Sequence, residues 1–246
     1  MDADVRGSVT GVDVNLNRLY NARSLARKYG APRVRLFHAC GVHFQQATAS
    51  NETNQNRSLE PDGKNPGCGC TLPIILATSS KPLYTTRVLR QHPSLPQNLL
   101  PAHISLYDKV LVDAECTHDG SIIHIIKYIQ KGDWGPFINS GLNQNRLKRI
   151  PHLQRGLIEN GFRLLKPNGL LVYSTCSFSR AQNEDIVQWL LDKCPSARID
   201  PIDVDKYAEL SPRMGMIEGT LRTGPWGNAS GFFVSRIRKV VEKEEE

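Results

Sequence analysis

The sequence predicts a doubly wound α/β fold with a mostly parallel sheet. Short apolar or β-branched runs alternate with segments of helical period, the connections at both ends of the chain are brief, and acidic or thiol-bearing residues follow directly on three strand ends. The length of 246 residues fits one full domain, or one with a large insertion, and a hydrophobic content of 39% suffices for a buried core. No self-similar period is found, which argues against a repeat solenoid.

Ser8 to Val14 alternates, is β-branched and ends on an acid, Asp13, so it reads as a strand. Leu16, Leu19, Tyr20, Leu25, Ala26 and Tyr29 follow at helical spacing, and Gly30-Ala31-Pro32 stops the helix. Val34 to His38 is the next strand, completing a strand-helix-strand unit with a right-handed crossover. Asn, Gln, Ser, Thr, Pro and Gly then dominate from about Gln45 to Gly69, which reads as a loop or disordered insertion. Prolines at 82, 93, 96 and 101 keep the chain irregular up to His103, with Leu72 to Leu76 as the one ordered piece expected in that stretch.

Order is expected again at Lys109 to Asp113, a continuous apolar run of the kind buried on both faces of a parallel sheet. Leu153, Leu157, Ile158, Leu164 and Leu165 then build a helix that ends at Lys166-Pro167-Asn168-Gly169, and Leu170 to Tyr173 forms the next buried strand. Asn183-Glu184 opens a further helix that turns Ile186, Trp189 and Leu190 inward, and Gly231 to Arg238 is the closing strand.

Composition narrows the function classes. No apolar run approaches the ~20 residues of a membrane span, and the first residues have neither a basic nor an apolar signal region. Six unevenly spaced cysteines do not make a dense disulfide framework, so a reducing intracellular compartment is expected, with cytoplasm, nucleus and nucleolus all open. Cys68-Gly69-Cys70 has no second thiol pair nearby, and no metal is expected there. The net charge is +7, and because the last five residues carry −3 the body carries +10. Six basic residues and no acid lie between Val14 and Arg35, and six basic residues against Glu159 lie between Arg146 and Lys166. Such clusters suit a polyanion; they suit equally the solvated faces of amphipathic helices.

Ligands of open α/β sheets collect at the carboxyl ends of the strands. Three such ends carry Asp13, Asp113-Ala114-Glu115-Cys116 and Ser174-Thr175-Cys176-Ser177. Two cysteines are thereby placed to face one crevice, although a single cysteine is more often a small buried hydrophobe. Asp13 stands where a carboxylate accepts ribose hydroxyls; the other reading of Asp13 or Asn15 is a helix N-cap.

These residues resemble the Nop/Sun-type RNA cytosine-C5 methyltransferases, which use S-adenosylmethionine. Asp113-Ala114-Glu115-Cys116-Thr117 is similar to the family's Asp-Ala-Pro-Cys-Ser motif, and Tyr173-Ser174-Thr175-Cys176-Ser177 with Gln182-Asn183-Glu184 to its Tyr-Ser-Thr-Cys-Ser motif and trailing Asn-Glu. Gly11-Val12-Asp13-Val14 with Arg18-Leu19 resembles its ribose-binding strand, and Arg222, Pro225 and Gly231-Phe232-Phe233 its closing segment. The resemblance implies a Rossmann-like class I methyltransferase fold and covers everything outside about 45–103. It also implies a substrate RNA, tRNA or rRNA, with the target base single-stranded or flipped out.

The resemblance assigns chemistry to both thiols. Cys176 would add to C6 of cytosine, making C5 nucleophilic enough to take the methyl group; Cys116 would serve release of the methylated base, and Asp113 would hold the N3/N4 edge. Asp13 and Asp113 would bind the cofactor. Glu115 stands where the family has Pro, and its charge is expected to raise the Cys116 pKa. Cys40 stands where the family has an acid facing the adenine side. The family's first strand and Gly-rich cofactor loop are not found ahead of Ser8, so the expectation is a partial catalytic domain over 1–246 with an insertion at about 45–103. The alternative expectation is a catalytically inactive RNA-binding or interaction fragment. A thiol-redox protein that forms a Cys116–Cys176 disulfide is a third.

Overall fold

The computed structural model describes residues 7–44, 82–91 and 107–241. The chain forms two compact units, residues 1–105 and 106–246.

In the first unit, β1 (Val9–Asp13) and β2 (Val34–His38) pair in parallel, joined by helix α1 (Leu16–Lys28). The strand-helix-strand unit expected from the sequence is therefore present. Asn15 caps α1, its side-chain oxygen accepting from the Asn17 and Arg18 amides, and Arg27 and Lys28 stand in the last turn where cations favour the helix dipole. A short strand, β3 (Tyr84–Thr85), pairs antiparallel with β2 and leads into helix α2 (Arg87–Gln91). This corrects the expectation of an irregular chain up to His103. Pro82 lies ahead of the ladder and so removes no donor from it, and Thr86 fixes the join by donating to Pro32 O and accepting from the Val34 amide. The polar stretch at 45–69, Cys68-Gly69-Cys70 and Leu72 to Leu76 lie outside the described residues.

The second unit is a mixed sheet with helices packed on it. Its strands are β4 (Tyr107–Asp113), β5 (Leu165–Thr175), β6 (Ala197–Ile199), β7 (Arg213–Met214), β8 (Leu221–Thr223) and β9 (Phe232–Lys239), in the order β4-β5-β9-β8-β7 with β6 also on β9. Only β4 and β5 run parallel here; β9 returns antiparallel to β5, and the short strands follow antiparallel. Between β4 and β5 come α3 (Ile122–Lys131), a π-helical turn at Phe137–Gly141 and α4 (Gln144–Arg163); α5 (Glu184–Lys193) follows β5.

β5 begins five residues earlier than expected. Leu165 already pairs with Tyr107, after which Lys166 to Gly169 bulge out, with Asn168 in the left-handed region, before Leu170 rejoins the ladder opposite Lys109. The burial of β4 also differs from expectation. Val112 is buried, whereas Leu111 is 68% exposed, because alternate side chains leave opposite faces of the strand and α4 packs only on the Val110/Val112 face. That approach is close enough that a Cβ on Gly161 would come within 2.8 Å of Val112 Cγ2.

The core joins Ile158 and Phe162 of α4, Leu171 and Tyr173 of β5, Ile186, Val187 and Leu190 of α5, and Phe233 and Ile237 of β9. Each fully buried aliphatic side chain contributes about 1.5–3 kcal/mol. Trp189, expected inward, packs only partly on this core, with Arg155 and Lys193 over its ring. No helix among the described residues is long and apolar enough to cross a membrane.

Candidate active site

Parallel pairing with Asp113 opposite Ser174 brings the carboxyl ends of β4 and β5 level, so the loops after both strands leave at one sheet edge. Cys116 and Cys176, sixty residues apart, thereby place their sulfurs 3.4 Å apart without a disulfide. Asp113 stands exposed at the end of β4 and accepts from Ser174 Oγ at 3.1 Å. Three of the four residues expected to carry chemistry are thus gathered in the second unit. The fourth, Asp13, belongs to the first unit, where it ends β1, accepts from the Asn15 amide and pairs with Arg18 at 3.3 Å. The N-cap of α1 is Asn15, so Asp13 is not needed for that role. Cys40 is buried, as a small apolar side chain would be.

A histidine completes the cluster. His118 Nδ1 lies 2.9 Å from Cys176 Sγ and 3.5 Å from Cys116 Sγ. Its backbone φ of 58° is in the region that non-glycine residues seldom occupy, and its ring stacks on His124 at 4.7 Å. Sequence reasoning missed His118; a Cys-x-His spacing directly after a strand end was the available signal.

The loop holding Cys116 and His118 is clamped from several sides. Gln154 of α4 donates to Glu115 O at 2.8 Å, and Arg146 to Cys116 O at 3.2 Å. Gln182 accepts from the Thr117 amide at 3.0 Å and also bonds the Thr117 hydroxyl. Asn183 accepts from Thr175 Oγ1 and donates to Ser177 O, locking the segment that carries Cys176. Asp119 binds the Thr117 hydroxyl and the Phe178 amide, tying one loop to the other. The Gly120 amide donates to Cys176 O at 2.9 Å, and only glycine fits there, since a Cβ would stand 2.9 Å from that carbonyl oxygen and 3.0 Å from Gly231 Cα. Gln182, Asn183 and Glu184 thus position the site, with Glu184 held by Arg222 behind it.

The thiols share one negative charge unequally. The bond from Cys176 pulls the Cys116 thiol down to about 4, and His118 adds to this against the cost of burial. The same bond pushes the Cys176 thiol up, reinforced by burial and by the charges of Cys116 and Asp113. His118 is raised, chiefly by its bond to Cys116, against the cost of burial. Glu115 was expected to raise the Cys116 thiol. The direction is the reverse because the bonds from Cys176 and His118 decide it, while Glu115 pairs with Arg146 at 3.5 Å.

Beside the loop, a cavity of about 570 Å³ is lined by Asn143, Gln144, Asn145, Arg146 and Arg149 at the start of α4. It places part of the basic cluster read from the sequence next to the thiols, through Arg146.

The profile of the 16S rRNA methyltransferase RsmB/F family matches residues 83–238, more than half of the chain and beginning within the stretch expected as insertion. Ribosomal RNA small subunit methyltransferase F of Klebsiella pneumoniae is 36% identical over 137 residues, which are 55% of this chain and 26% of that protein. The protein of the same name from Escherichia coli is 33% identical over 138 residues, 54% and 26% of the respective chains. The chain therefore spans about a quarter of the length of these relatives. Among solved structures, PH0851 has a TM-score of 0.60 at 22% identity, covering 95% of this chain and 37% of its own. NSun6 from Pyrococcus horikoshii with SFG has a TM-score of 0.59 at 18% identity, covering 96% and 42%. These two likenesses establish the α/β fold. With the paired thiols at the ends of β4 and β5 lying inside the matched segment, the chain belongs to the 16S rRNA methyltransferase RsmB/F family.

Proposed function

We propose that the chain is the catalytic domain, or part of it, of an RNA methyltransferase that methylates cytosine C5 in rRNA or tRNA through a covalent Cys176–C6 adduct. The observation that carries this reading is the contact of two thiols and an imidazole at the ends of two parallel strands. Both compact units serve this one domain, with 45–103 as an insertion. S-adenosylmethionine supplies the methyl group as an electrophilic sulfonium. Carboxylates suit its hydroxyls and ammonium, and in the second unit Asp113, at the carboxyl end of β4, would hold it.

Cys176 begins as a thiol bonded to the Cys116 thiolate. As its sulfur bonds to C6, its proton passes to Cys116 Sγ, 3.4 Å away, and from there through His118 to solvent. Asp113 accepts from the cytosine N4 amino group on the N3/N4 edge and so orients the base for addition. After methylation the Cys116 thiolate takes the C5 proton, and the bond between Cys176 sulfur and C6 breaks to restore the aromatic base. The cavity with Arg146 and Arg149 suits RNA phosphates beside this centre.

The test is adduct trapping with small-subunit rRNA and S-adenosylmethionine. Cys116→Ala is expected to accumulate a protein–RNA complex that survives denaturing electrophoresis, and Cys176→Ala to give neither complex nor methylated RNA. A complex that depends on Cys116 reverses the two roles. RNA binding without measurable calorimetric affinity for S-adenosylmethionine favours the inactive-fragment reading instead.

A further inference from the structure

We propose that Cys116, His118 and Cys176 form a binding site for a thiophilic divalent cation, with zinc as the fitting ion, and that its occupancy holds both thiols out of reaction. Among the described residues this is the one cluster of three or more cysteine, histidine or acidic side chains whose donor atoms converge, all within 4.8 Å of one another. Two sulfurs and one imidazole nitrogen are the donor set that zinc selects.

The triangle of donors has nearly the size that a tetrahedral ion demands. Zinc–sulfur bonds of about 2.3 Å and zinc–nitrogen bonds of about 2.0–2.1 Å call for sulfurs about 3.8 Å apart and sulfur-to-nitrogen separations of about 3.6 Å. The observed sides are 3.4 Å between the sulfurs, 3.5 Å from Cys116 to His118 and 2.9 Å from Cys176 to His118. Two sides are within about 0.4 Å of the requirement, and the third opens by about 0.7 Å, a displacement that side-chain rotation supplies.

The surroundings fit an ion as well. Two thiolates and a neutral imidazole cancel a charge of +2, so a neutral complex occupies a half-buried place where an unbalanced charge would be costly. The His118 ring is already oriented by its stacking on His124, which is in turn bonded to Ser121 Oγ. Cys116 is buried, whereas Cys176 and His118 are partly exposed, so the ion enters from their side and keeps a fourth position for water. Binding forms two zinc–sulfur bonds and one zinc–nitrogen bond, the thiol protons leave to solvent, and no electrons are transferred. The inhibitory part of the proposal rests on the methyltransferase reading above; the binding part does not.

The test uses the full chain, reduced and freed of metal, with Cys68→Ser and Cys70→Ser introduced so that the Cys68-Gly69-Cys70 pair cannot respond. Cobalt(II) is the probe. The expected result is one equivalent of bound cobalt with a thiolate-to-cobalt charge-transfer band, bleached by one equivalent of zinc. Cys176→Ser should lose the band, and His118→Asn, which tolerates the left-handed backbone, should weaken cobalt binding at least about tenfold. Circular dichroism of each variant confirms that it is folded. Absence of the band, or a band unchanged in a Cys116→Ser/Cys176→Ser double variant, overturns the site. RNA adduct assays run with zinc and with a chelator address the second part: adduct formation undiminished by bound zinc overturns the inhibitory role. A chain that binds cobalt but forms no adduct under chelator sinks the methyltransferase reading and leaves the metal site standing.

Discussion

Glu184, at the first turn of α5, and Arg222, on β8, form a bidentate ion pair: Glu184 Oε1 accepts from Arg222 Nε at 2.7 Å and Oε2 from Nη2 at 2.5 Å, with little of either side chain exposed. Glu184 Oε1 also accepts from the Met216 amide, and Arg222 reaches Phe178 O. The pair thus braces the residues immediately behind Cys176. Truncating Arg222 to Ala leaves a carboxylate buried without its cation, and denaturant titration is expected to show a loss of about 3 kcal/mol.

The same pair makes stability depend on acid. Arg222 and the backbone amides hold the Glu184 carboxyl below its usual value, overcoming the opposing effect of burial. A depressed folded pKa contributes stability in full above the unfolded value, about 4.3, and loses it as pH falls through the lower folded value. Melting temperatures measured from pH 7 down to 3 should fall along this limb in the native chain. Glu184→Gln should be less stable at pH 7 and should lack that part of the fall; parallel curves would contradict the assignment.

Gly120→Ala puts a methyl group against the Cys176 and Gly231 backbones, neither of which can swing aside as a side chain would. A destabilisation of about 1–3 kcal/mol is expected. Because the loops must separate, thiol alkylation followed by mass spectrometry should find Cys116, buried in the native chain, open to reagent.

Gln182→Ala removes the acceptor of the Thr117 amide and a partner of its hydroxyl. The amide is buried, so the loss is expected at about 1–3 kcal/mol. If Gln182 positions the loop, the rate of adduct formation should fall while affinity for RNA, measured by filter binding, is retained.

Arg149→Ala probes the basic cavity. Losing one phosphate contact should weaken binding uniformly across RNA sequences and reduce the slope of log affinity against log salt by about 1. An unchanged slope would place the RNA backbone elsewhere.

The strand-helix-strand unit from Val9 to His38 and the motifs after β4 and β5 were legible in the sequence because they depend on local signals: β-branched alternation, a helix stop at Gly30-Ala31-Pro32, and acids or thiols directly after apolar runs. What was not legible depends on partners distant in the chain. Tyr84-Thr85 is a strand only because β2 offers it an edge, and two residues carry no period. β7 and β8, of two and three residues, are likewise defined by their partners, β7 by β8 and β8 by β9. In the site, Asp113, Cys116 and Cys176 could be named, but the direction of the Cys116 pKa could not. Glu115 is its neighbour in sequence, whereas Cys176 and His118 are its neighbours in space. The mutual dependence of Glu184 and Arg222 was hidden in the same way, although both residues belonged to recognised motifs.

Among the described residues β4 stands at the end of its sheet, with β5 as its partner on one side. Asp108 and Lys109 are exposed along its first half, but Val110, Leu111 and Val112 follow without a charge, and Leu111 is the most exposed of the three. Charges discourage strands from different molecules from zipping together, and an uncharged apolar edge invites it. Taken by itself, the second unit therefore presents along β4 an apolar edge that favours pairing with a further strand. Leu111→Lys would put a charge beside that edge and leave the Val112 side of the strand, with its close seat against Gly161, as it is.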